Sequence, residues 1–421
     1  MLLRWIFMKI TLLSVGSTGD VRPFILIGRI LKSRGHEVTI TAFTRFRETV
    51  VSAGLGFHAL SGSVEKMMES IMEPDTSGVT YLPRLWKGVK DTAPEMLRDM
   101  LDSCSGADAM VCNFFGSVYY SIAEKFNIPC IQVNLFPMDP TGDVPISAVR
   151  NQRLGSFLNK STYKAGYYLI GTIEKHVLGE WRRSSGLTDR RPAVRPDYRI
   201  GSHVVPVIYP ISPCLFPRPE DWGEHVYMSG FCFDESPVEY EPPRELTGFL
   251  SAGERPIYIG FGSMNSGDMN RLLSIVLRSV HAAGIRAVIS AGWHGRKLKS
   301  GRSVLFVDDI PHDWLFPRVS AVVHHGGAGT TASGLRYGKP ALIIPFAGDQ
   351  TFWGMRVYRV GCGPKPVPRA SLSVHRLTKA LLDLKSNSSY YENARHISES
   401  LGREHGVLVA ADLIEKEIAN W

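Results

Sequence analysis

The chain has 421 residues, of which 44% are hydrophobic and 21% are charged. This balance excludes a disordered chain, and the length predicts two or three domains at about 100–200 residues each. The net charge of +8 suits an anionic substrate or an anionic membrane surface, although a merely basic surface explains it equally well. Lys and Arg are dispersed, which argues against nucleic acid as a partner. No apolar run in the sequence approaches the ~20 residues that span a bilayer.

We interpret residues 1–7 as an extra turn or an upstream start rather than a targeting segment, because residues 8–15 continue directly into a buried strand. Six cysteines occur without any CxxC spacing: Cys104, Cys112, Cys130, Cys214, Cys232 and Cys362. Scattered cysteines favour free thiols over disulfides or a zinc site. We therefore expect a cytoplasmic protein with at most peripheral contact with the inner face of the membrane.

A strand, a glycine turn and a helix open the chain. Residues 9–15 predict a strand, and a turn containing Gly16 follows. Residues 24–33 predict a helix with Pro23 in its first turn, and residues 37–42 predict a second strand. Further short strands are predicted at 109–112, 128–133 and 203–209.

The same layout begins again near residue 256. Residues 257–261 predict a strand, 262–267 a glycine-rich turn, and 269–280 a helix with one apolar stripe. Strands are then predicted at 286–291, 304–307, 321–324 and 341–345. Alternating strands and helices indicate an α/β protein with parallel sheets covered by helices on both faces.

The repeated layout predicts two Rossmann-like domains, each a doubly wound parallel sheet, that face each other across a cleft. We assign residues 1–215 to the first domain and 251–395 to the second. Residues 216–250, rich in proline and charge, are predicted to be the interdomain linker. Residues 396–421 predict a carboxyl-terminal helix whose docking site the sequence does not define.

The strongest chemical signal is HHGGAGTT at residues 324–331, which follows an apolar strand and opens a helix. Small residues let backbone amides approach an anion, and the helix amino terminus adds positive partial charge. A histidine at the end of the strand can donate to a phosphate oxygen. A plain glycine turn beside a satisfied histidine is the alternative interpretation.

Asp349 and Gln350 follow the strand at 341–345. A carboxylate beside a carboxamide supplies acceptors and donors for adjacent hydroxyl groups, as sugar recognition requires. The alternative is that Asp349 caps a helix that begins at Thr351.

Asp20 ends the turn GSTGD after the first strand. A carboxylate there can accept the proton of a hydroxyl nucleophile, and its alternative role is again helix capping. We expect Arg22 to be the nominal cap before Pro23, which leaves Asp20 available. The glycines lie three apart and do not form GxGxxG, so an NAD-dependent oxidoreductase is disfavoured.

Ser263 lies in the turn GFGSM after the first strand of the second domain. Its hydroxyl and amide can reach a phosphate. A serine in an ordinary turn is the equally good alternative.

Together these residues resemble the family-1 glycosyltransferases with the two-domain GT-B fold. The resemblance rests on VGSTGDVRPF (15–24), PIYIGFGSM (256–264), AGWHG (291–295), VGCGPKPVPR (360–369) and the long motif at 310–357 that contains HHGGAGTT and DQ. The sequence is most similar to the sterol 3-beta-glucosyltransferases and to bacterial relatives that glycosylate lipids and polyketides. The resemblance is dense at residues 8–60 and 212–382 and weak at residues 61–203.

The resemblance implies an inverting transfer of a sugar, most often glucose from UDP-glucose, with the first domain binding the acceptor. It implies that Asp20 is the catalytic base, where plant relatives use a histidine oriented by an aspartate. The implied donor-binding residues are His324, Gly327, Gly329, Thr330 and Ser263 for the diphosphate, Asp349 and Gln350 for the sugar, and Phe306, Val307 and Asp309 for the uracil. His325 lies beside His324, and the sequence leaves open which of them contacts the diphosphate.

We expect no cofactor and no metal ion, because no acidic cluster such as DxD occurs. We expect the acceptor to be a hydrophobic small molecule such as a sterol, a lipid or a polyketide. Its pocket is expected within residues 61–196, whose methionine and aromatic side chains suit either an adaptable pocket or an ordinary core. They are Met67, Met68, Met72, Tyr81, Trp86, Met96, Met100, Phe114, Phe115, Tyr119, Phe136, Tyr167 and Tyr168, together with Leu82.

Three other functions stay open. The first is a TDP-deoxysugar-dependent transferase acting on a macrolide or aromatic product, which only a few side chains around the base and sugar would distinguish. The second is an epimerase or phosphorylase of the same two-domain fold, which the HHGGAGTT and DQ motifs disfavour. The third is a non-catalytic partner that binds a nucleotide-sugar, which Asp20 beside an intact donor motif disfavours.

Overall fold

The computed structural model describes residues 7–63, 84, 87, 91–114, 116–147, 149, 154–187, 199–237, 239–262, 269–290 and 300–421. Within them the strands are β1 (Lys9–Leu13), β2 (Glu37–Phe43), β3 (Gly56–Leu60), β4 (Ala109–Cys112), β5 (Cys130–Val133), β6 (Arg199–Ile200), β7 (His203–Val204), β8 (Val207–Tyr209), β9 (Val226–Met228), β10 (Ile257–Gly260), β11 (Ala287–Ser290), β12 (Val304–Val307), β13 (Val322–His324) and β14 (Ala341–Ile343). The α-helices are α1 (Thr18–Ser33), α2 (Arg47–Ser52), α3 (Ala93–Ser103), α4 (Val118–Phe126), α5 (Ser156–Ser184), α6 (Arg244–Ser251), α7 (Met269–Ala282), α8 (His312–Leu315), α9 (Ala328–Arg336), α10 (Gln350–Arg359), α11 (Val374–Ser386), α12 (Ser388–Leu401) and α13 (Gly406–Ala419).

Two parallel sheets dominate the fold, which confirms the predicted α/β class. The first has the strand order β3-β2-β1-β4-β5-β8-β9, and the second has the order β12-β11-β10-β13-β14. Every pair in both sheets is parallel. Strands β6 and β7 form a small antiparallel pair outside them. The carboxyl ends of all strands in a parallel sheet lie at one edge, where ligands of doubly wound folds bind.

Helix α1 begins earlier than the sequence predicted. It starts at Thr18 with Ser17 as its amino-terminal cap, and Pro23 lies inside it rather than in its first turn. The expected cap at Arg22 was therefore wrong. Pro23 has no amide hydrogen to donate within α1, but the helix continues through it, so Pro23 does not mark the start of the helix.

The predicted carboxyl-terminal helix is two helices, α12 and α13, which are separated by residues 402–405. Helix α13 packs against α1, and its residues Ala410, Ala411 and Ile414 belong to the core of the first sheet. The end of the chain thus returns to the domain in which the chain begins.

The stretch at 216–250 contains more structure than a linker requires. Strand β9 extends the first sheet beside β8, and α6 leads into the second sheet. Phe216, Trp222 and Phe231 are buried in a core that also includes Phe352 and Trp353 of α10. This shared apolar core holds the two halves of the chain together, while the division of the chain into domains stays a prediction.

No helix in the described part of the chain is both long enough and apolar enough to cross a membrane.

Candidate active site

The predicted donor residues follow the carboxyl ends of strands in the second sheet. His324 ends β13 and lies in register with Gly260 of β10 and Ile343 of β14. Asp349 follows β14, and Phe306 and Val307 end β12. Asp20 follows β1 at the corresponding edge of the first sheet. Parallel topology therefore gathers residues that are up to 329 positions apart in the chain on the two ligand-binding edges.

Asp20 does cap α1, in addition to any catalytic role. Its Oδ2 accepts hydrogen bonds from the Ser17 amide at 2.7 Å and from the Ser17 hydroxyl at 3.0 Å. Burial raises the pKa of the carboxyl, and these two hydrogen bonds oppose the rise. Gly16 has a φ of +154°, and a side chain there would collide with the Asp20 carboxylate. The turn thus holds Asp20 in one place.

Asp349 does not use its side chain to cap α10. Its Oδ2 instead accepts a hydrogen bond from Trp353 Nε1 at 2.8 Å. Burial raises its pKa to about 7, and the negative charge of Asp20 raises it as well.

The side-chain oxygen of Gln350 forms hydrogen bonds within the protein. Its Oε1 accepts from the amides of Phe346 at 2.7 Å and Ala347 at 3.1 Å, and the side chain is buried. Gly326 packs directly on its backbone: a Cβ at Gly326 would lie 2.9 Å from the Gln350 carbonyl oxygen, at a φ of +97°. The glycine turn and the Asp349–Gln350 pair are thus one packed unit.

His324 has a defined tautomer. Its ring is fully buried, and its Nδ1 accepts from the Gly326 amide at 3.1 Å. Burial, and then the charge of His325, hold its pKa well below its usual range, so the ring is neutral. A neutral ring that accepts at Nδ1 carries its proton at Nε2. In the described part of the chain this Nε2 has no hydrogen-bond partner.

His325 lies between two glycine turns. Cβ atoms built at Gly262 and Gly327 would lie 3.4 Å from its Cε1 and 2.6 Å from its Nε2. Its ring is half-buried, and burial lowers its pKa to about 4. Ser263, which follows Gly262, lies outside the described residues, as does AGWHG at 291–295.

Helix α9 places its amino terminus beside the two histidines. Gly327 is its cap residue, and Gly329 and Thr330 lie in its first turn. Gly329 is exposed, and a Cβ built on it meets nothing within 4 Å. Free amides at a helix amino terminus suit an anion.

The three predicted uracil residues share the same edge but lie apart from His324. Strand β12 is the outer strand of its sheet, three positions from β13. Phe306 and Val307 are half-buried there, and Asp309 is exposed in the loop that follows. The carboxyl ends of β11 and β10 lie between the predicted uracil residues and His324.

Glu174 is a half-buried carboxyl that the sequence did not single out. It lies in α5 and accepts from the amide and hydroxyl of Ser117, both at 2.7 Å, at the start of α4. Burial raises its pKa to about 7. Ser117 follows β4, next to β1, so Glu174 lies on the same edge as Asp20. No sequence signal identifies it, because the contact joins residues 57 positions apart.

The methionine and aromatic residues predicted for the acceptor pocket divide between two roles. Met96, Met100 and Tyr119 are core residues, whereas Tyr168 is largely exposed. The half-buried members of the described chain are Phe114, Phe136 and Tyr167. The remaining members, Met67, Met68, Met72, Tyr81, Leu82, Trp86 and Phe115, lie outside the described residues.

Within the described residues no group of three or more His, Cys, Asp or Glu side chains is placed to hold a metal ion.

Two family descriptions match the chain. "Glycosyltransferase family 28 N-terminal domain" matches residues 10–139. "Erythromycin biosynthesis protein CIII-like, C-terminal domain" matches residues 290–415. The first match includes Asp20, and the second includes the predicted donor residues except Ser263.

Several sterol 3-beta-glucosyltransferases are similar over nearly the whole chain. Two from Arabidopsis thaliana are 34% and 31% identical over 98% of it, which corresponds to 66% and 68% of their own lengths. One from Candida albicans is 31% identical over 97% of the chain and 28% of its own length. The chain thus spans about two thirds of the plant relatives and less than a third of this fungal one.

Solved structures of natural-product glycosyltransferases share the fold. The glycotransferase of kitacinnamycin superimposes with a TM-score of 0.69 at 18% identity, over 98% of this chain and 99% of that one. The calicheamicin glycosyltransferase CalG4 gives a TM-score of 0.69 at 16% identity over the same shares. These likenesses confirm the predicted GT-B fold with two Rossmann-like domains.

Proposed function

The chain belongs to the family of the sterol 3-beta-glucosyltransferases, and from this premise we propose that it is an inverting glycosyltransferase. It transfers glucose from UDP-glucose to a hydroxyl of a hydrophobic acceptor, such as a sterol, a lipid or a polyketide, and forms a β-glycoside. The observation that supports this most is the buried His324 ring at the carboxyl edge of the second sheet, whose Nε2 has no hydrogen-bond partner among the described residues. It offers a donor where the predicted diphosphate site lies.

In the proposed reaction Asp20 removes the proton of the acceptor hydroxyl. The hydroxyl oxygen attacks the anomeric carbon, a new carbon–oxygen bond forms, and the bond to the diphosphate breaks on the opposite face. UDP leaves with the electron pair of that bond, and the configuration inverts. A positioned general base contributes roughly 10²–10⁴-fold to the rate.

We propose His324 rather than His325 as the donor to the diphosphate. Its Nδ1 is occupied by the Gly326 amide, so its Nε2 carries a proton. A buried donor without an acceptor costs about 1–3 kcal/mol, and a phosphate oxygen would remove that cost. The amides around Gly327, Gly329 and Thr330 add backbone donors, and fixed donors aimed at developing charge are worth about 3 kcal/mol each.

We place the protein in a reducing compartment, and the thiols support this. All six cysteines are free, including Cys112 and Cys130, whose sulfur atoms lie 3.9 Å apart without a bond. Unpaired thiols at such a distance are typical of the cytoplasm.

The test is UDP release from purified protein and UDP-glucose, in the presence of EDTA because no metal is expected. Sterols, flavonoids and macrolides are supplied separately as acceptors, and the masses of the products are measured by mass spectrometry. We expect release that depends on one acceptor class, with a gain of one hexose on that acceptor. The same panel with TDP-sugars tests the alternative donor. No release with any acceptor from either donor would contradict the proposal.

A further inference from the structure

The first half of α5 exposes an unusual amount of apolar surface. Phe157 is 82% exposed, Tyr168 is 80% exposed and Leu158 is 51% exposed. Phe157 and Tyr168 are eleven residues apart, which is about three helical turns, so they lie on the same face. At about 100° per residue, Ala165 and Leu158 extend this face by roughly a quarter turn. We call these four residues the α5 stripe.

Positive charge flanks the α5 stripe on one side. Lys160 and Lys164 are exposed and lie about 60° and 20° from Phe157 around the helix. Lys160 also pairs with Asp221 at 2.8 Å. The sequence has no Asp or Glu from residue 156 to residue 173. An apolar face bordered by lysines, without acidic residues on the same segment, is complementary to anionic lipid headgroups above an acyl layer.

The opposite face of the helix fixes its position beside the cleft. Asn159 Nδ2 donates to the Gly142 carbonyl oxygen at 2.7 Å, and the Ile146 amide donates to Thr162 Oγ1 at 2.9 Å. The Tyr167 hydroxyl donates to the Met138 carbonyl oxygen. These contacts all fall on the loop after β5, at the sheet edge that also carries Asp20. The α5 stripe therefore lies on the outward face of a helix whose other face is attached to a loop at this edge.

We propose that the α5 stripe docks the protein on a bilayer that contains anionic lipid, so that the cleft receives its acceptor from that bilayer. This inference rests on the proposed function, in which the acceptor is a hydrophobic alcohol that partitions into membranes. Aromatic and aliphatic side chains enter the interfacial region while Lys164 stays at the headgroups. Contact is peripheral, because only one helix face takes part.

The experiment is sedimentation of the full chain with phosphatidylcholine vesicles that contain or lack phosphatidylglycerol. We compare the wild type with the double variant Phe157→Ser/Leu158→Ser. The matched control is Val51→Ser/Leu382→Ser, which removes side chains that are 53% and 45% exposed on α2 and α11. We expect the first variant to bind anionic vesicles at least about tenfold more weakly and the control to bind like the wild type. Lys164→Glu should weaken binding to anionic vesicles and leave binding to neutral vesicles unchanged.

Three results would overturn the proposal: equal binding of both double variants, no vesicle binding by the wild type, or a dimer that Phe157→Ser/Leu158→Ser dissociates. Such a dimer would indicate that the α5 stripe contacts a second copy of the chain. Transfer assays separate this inference from the proposed function. The stripe variant should keep turnover on acceptor dispersed in detergent and lose it on acceptor held in vesicles. Absence of turnover on every acceptor would count against the proposed function alone, since vesicle binding is read independently.

Discussion

The carboxyl group of Asp349 lies in an environment that makes its protonation state change near neutral pH. Burial and the charge of Asp20 raise its pKa to about 7 from an ordinary value near 3.8. Because the folded-state pKa is raised, this group adds stability at low pH and loses that contribution as the pH rises toward 7. The ionised form is nevertheless the one that accepts hydrogen bonds from sugar hydroxyls.

We therefore predict that the affinity for UDP-glucose rises as the pH increases through about 7. Calorimetric titrations of UDP-glucose between pH 6 and pH 8, about one unit on each side of this pKa, would measure it. Asp349→Asn should bind more weakly at high pH and show a flat profile. An equally steep profile in both proteins would assign the pH dependence to another group.

We expect the two adjacent histidines to contribute differently to UDP binding, because His324 offers its Nε2 proton to the ligand. His324→Ala removes the Nε2 donor and should weaken UDP binding roughly tenfold to a hundredfold, as the loss of a hydrogen bond to a charged group does. His325→Ala serves as the matched control and should have a smaller effect. UDP titrations of both variants decide between them, and a larger loss in His325→Ala would exchange their roles.

At the scale of elements, the turn before α9 and its first helical turn respond differently to an added methyl group. Gly326→Ala meets both a positive φ and the Gln350 backbone, so we expect misfolding or a lower melting temperature. Gly329→Ala meets nothing within 4 Å, so the melting temperature should not fall.

If phosphate approaches the α9 backbone, however, Gly329→Ala should weaken UDP binding roughly tenfold or more, because the added carbon crowds the ligand. Thermal unfolding of this variant measures its melting temperature, and UDP titration measures its affinity. Unchanged affinity together with unchanged stability would remove Gly329 from the phosphate site.

The sequence predicted elements well where local pattern alone decides them. Strands β4 and β12 begin and end where predicted, because strands of parallel sheets read as short apolar runs. The start of α1 was wrong because Pro23 outweighed the weaker signal of Ser17 and Asp20, which are spaced as in a capping box. The break between α12 and α13 was missed because apolar residues continue on both sides of it.

Candidate site residues were predictable where they sit in compact motifs after strands, as His324 and Asp349 do. Glu174 was not predictable, because its partner Ser117 is brought to it only by packing of α5. The tautomer of His324 likewise depends on a single backbone hydrogen bond that only coordinates reveal.

Across the whole molecule, a buried ionic cluster ties the end of the chain to its beginning. Glu415 of α13 is fully buried and pairs with His36 at 2.9 Å and with Arg34, which also pairs with Asp412 at 2.6 Å. A second ion pair, between Arg22 of α1 and Asp313 of α8 at 3.4 Å, joins the two halves near the cleft. The first contact anchors the end of the chain to the first sheet, and the second joins the two halves of the chain through a partly exposed ion pair.

We predict that Glu415→Ala lowers the free energy of unfolding by about 1–3 kcal/mol, because it leaves the buried His36 ring without its hydrogen-bond partner and removes one of the two carboxylates on Arg34. Asp412→Ala is the matched control, since it removes the other carboxylate on Arg34 from a side chain that is 64% exposed. Its cost should stay below about 1 kcal/mol. Denaturant unfolding of both variants measures this, and equal losses would show that burial does not set the strength of the cluster.

The central claim is that Asp20 and the donor residues form one site for sugar transfer. Asp20→Asn tests it most directly, because the asparagine oxygen can still accept from the Ser17 amide and keep α1 capped. Turnover with UDP-glucose and acceptor is measured in parallel with UDP affinity. We predict that turnover falls by about 10²–10⁴-fold while UDP affinity stays within about twofold of the wild type. Turnover close to that of the wild type, or an equal loss of turnover and UDP binding, would contradict the account.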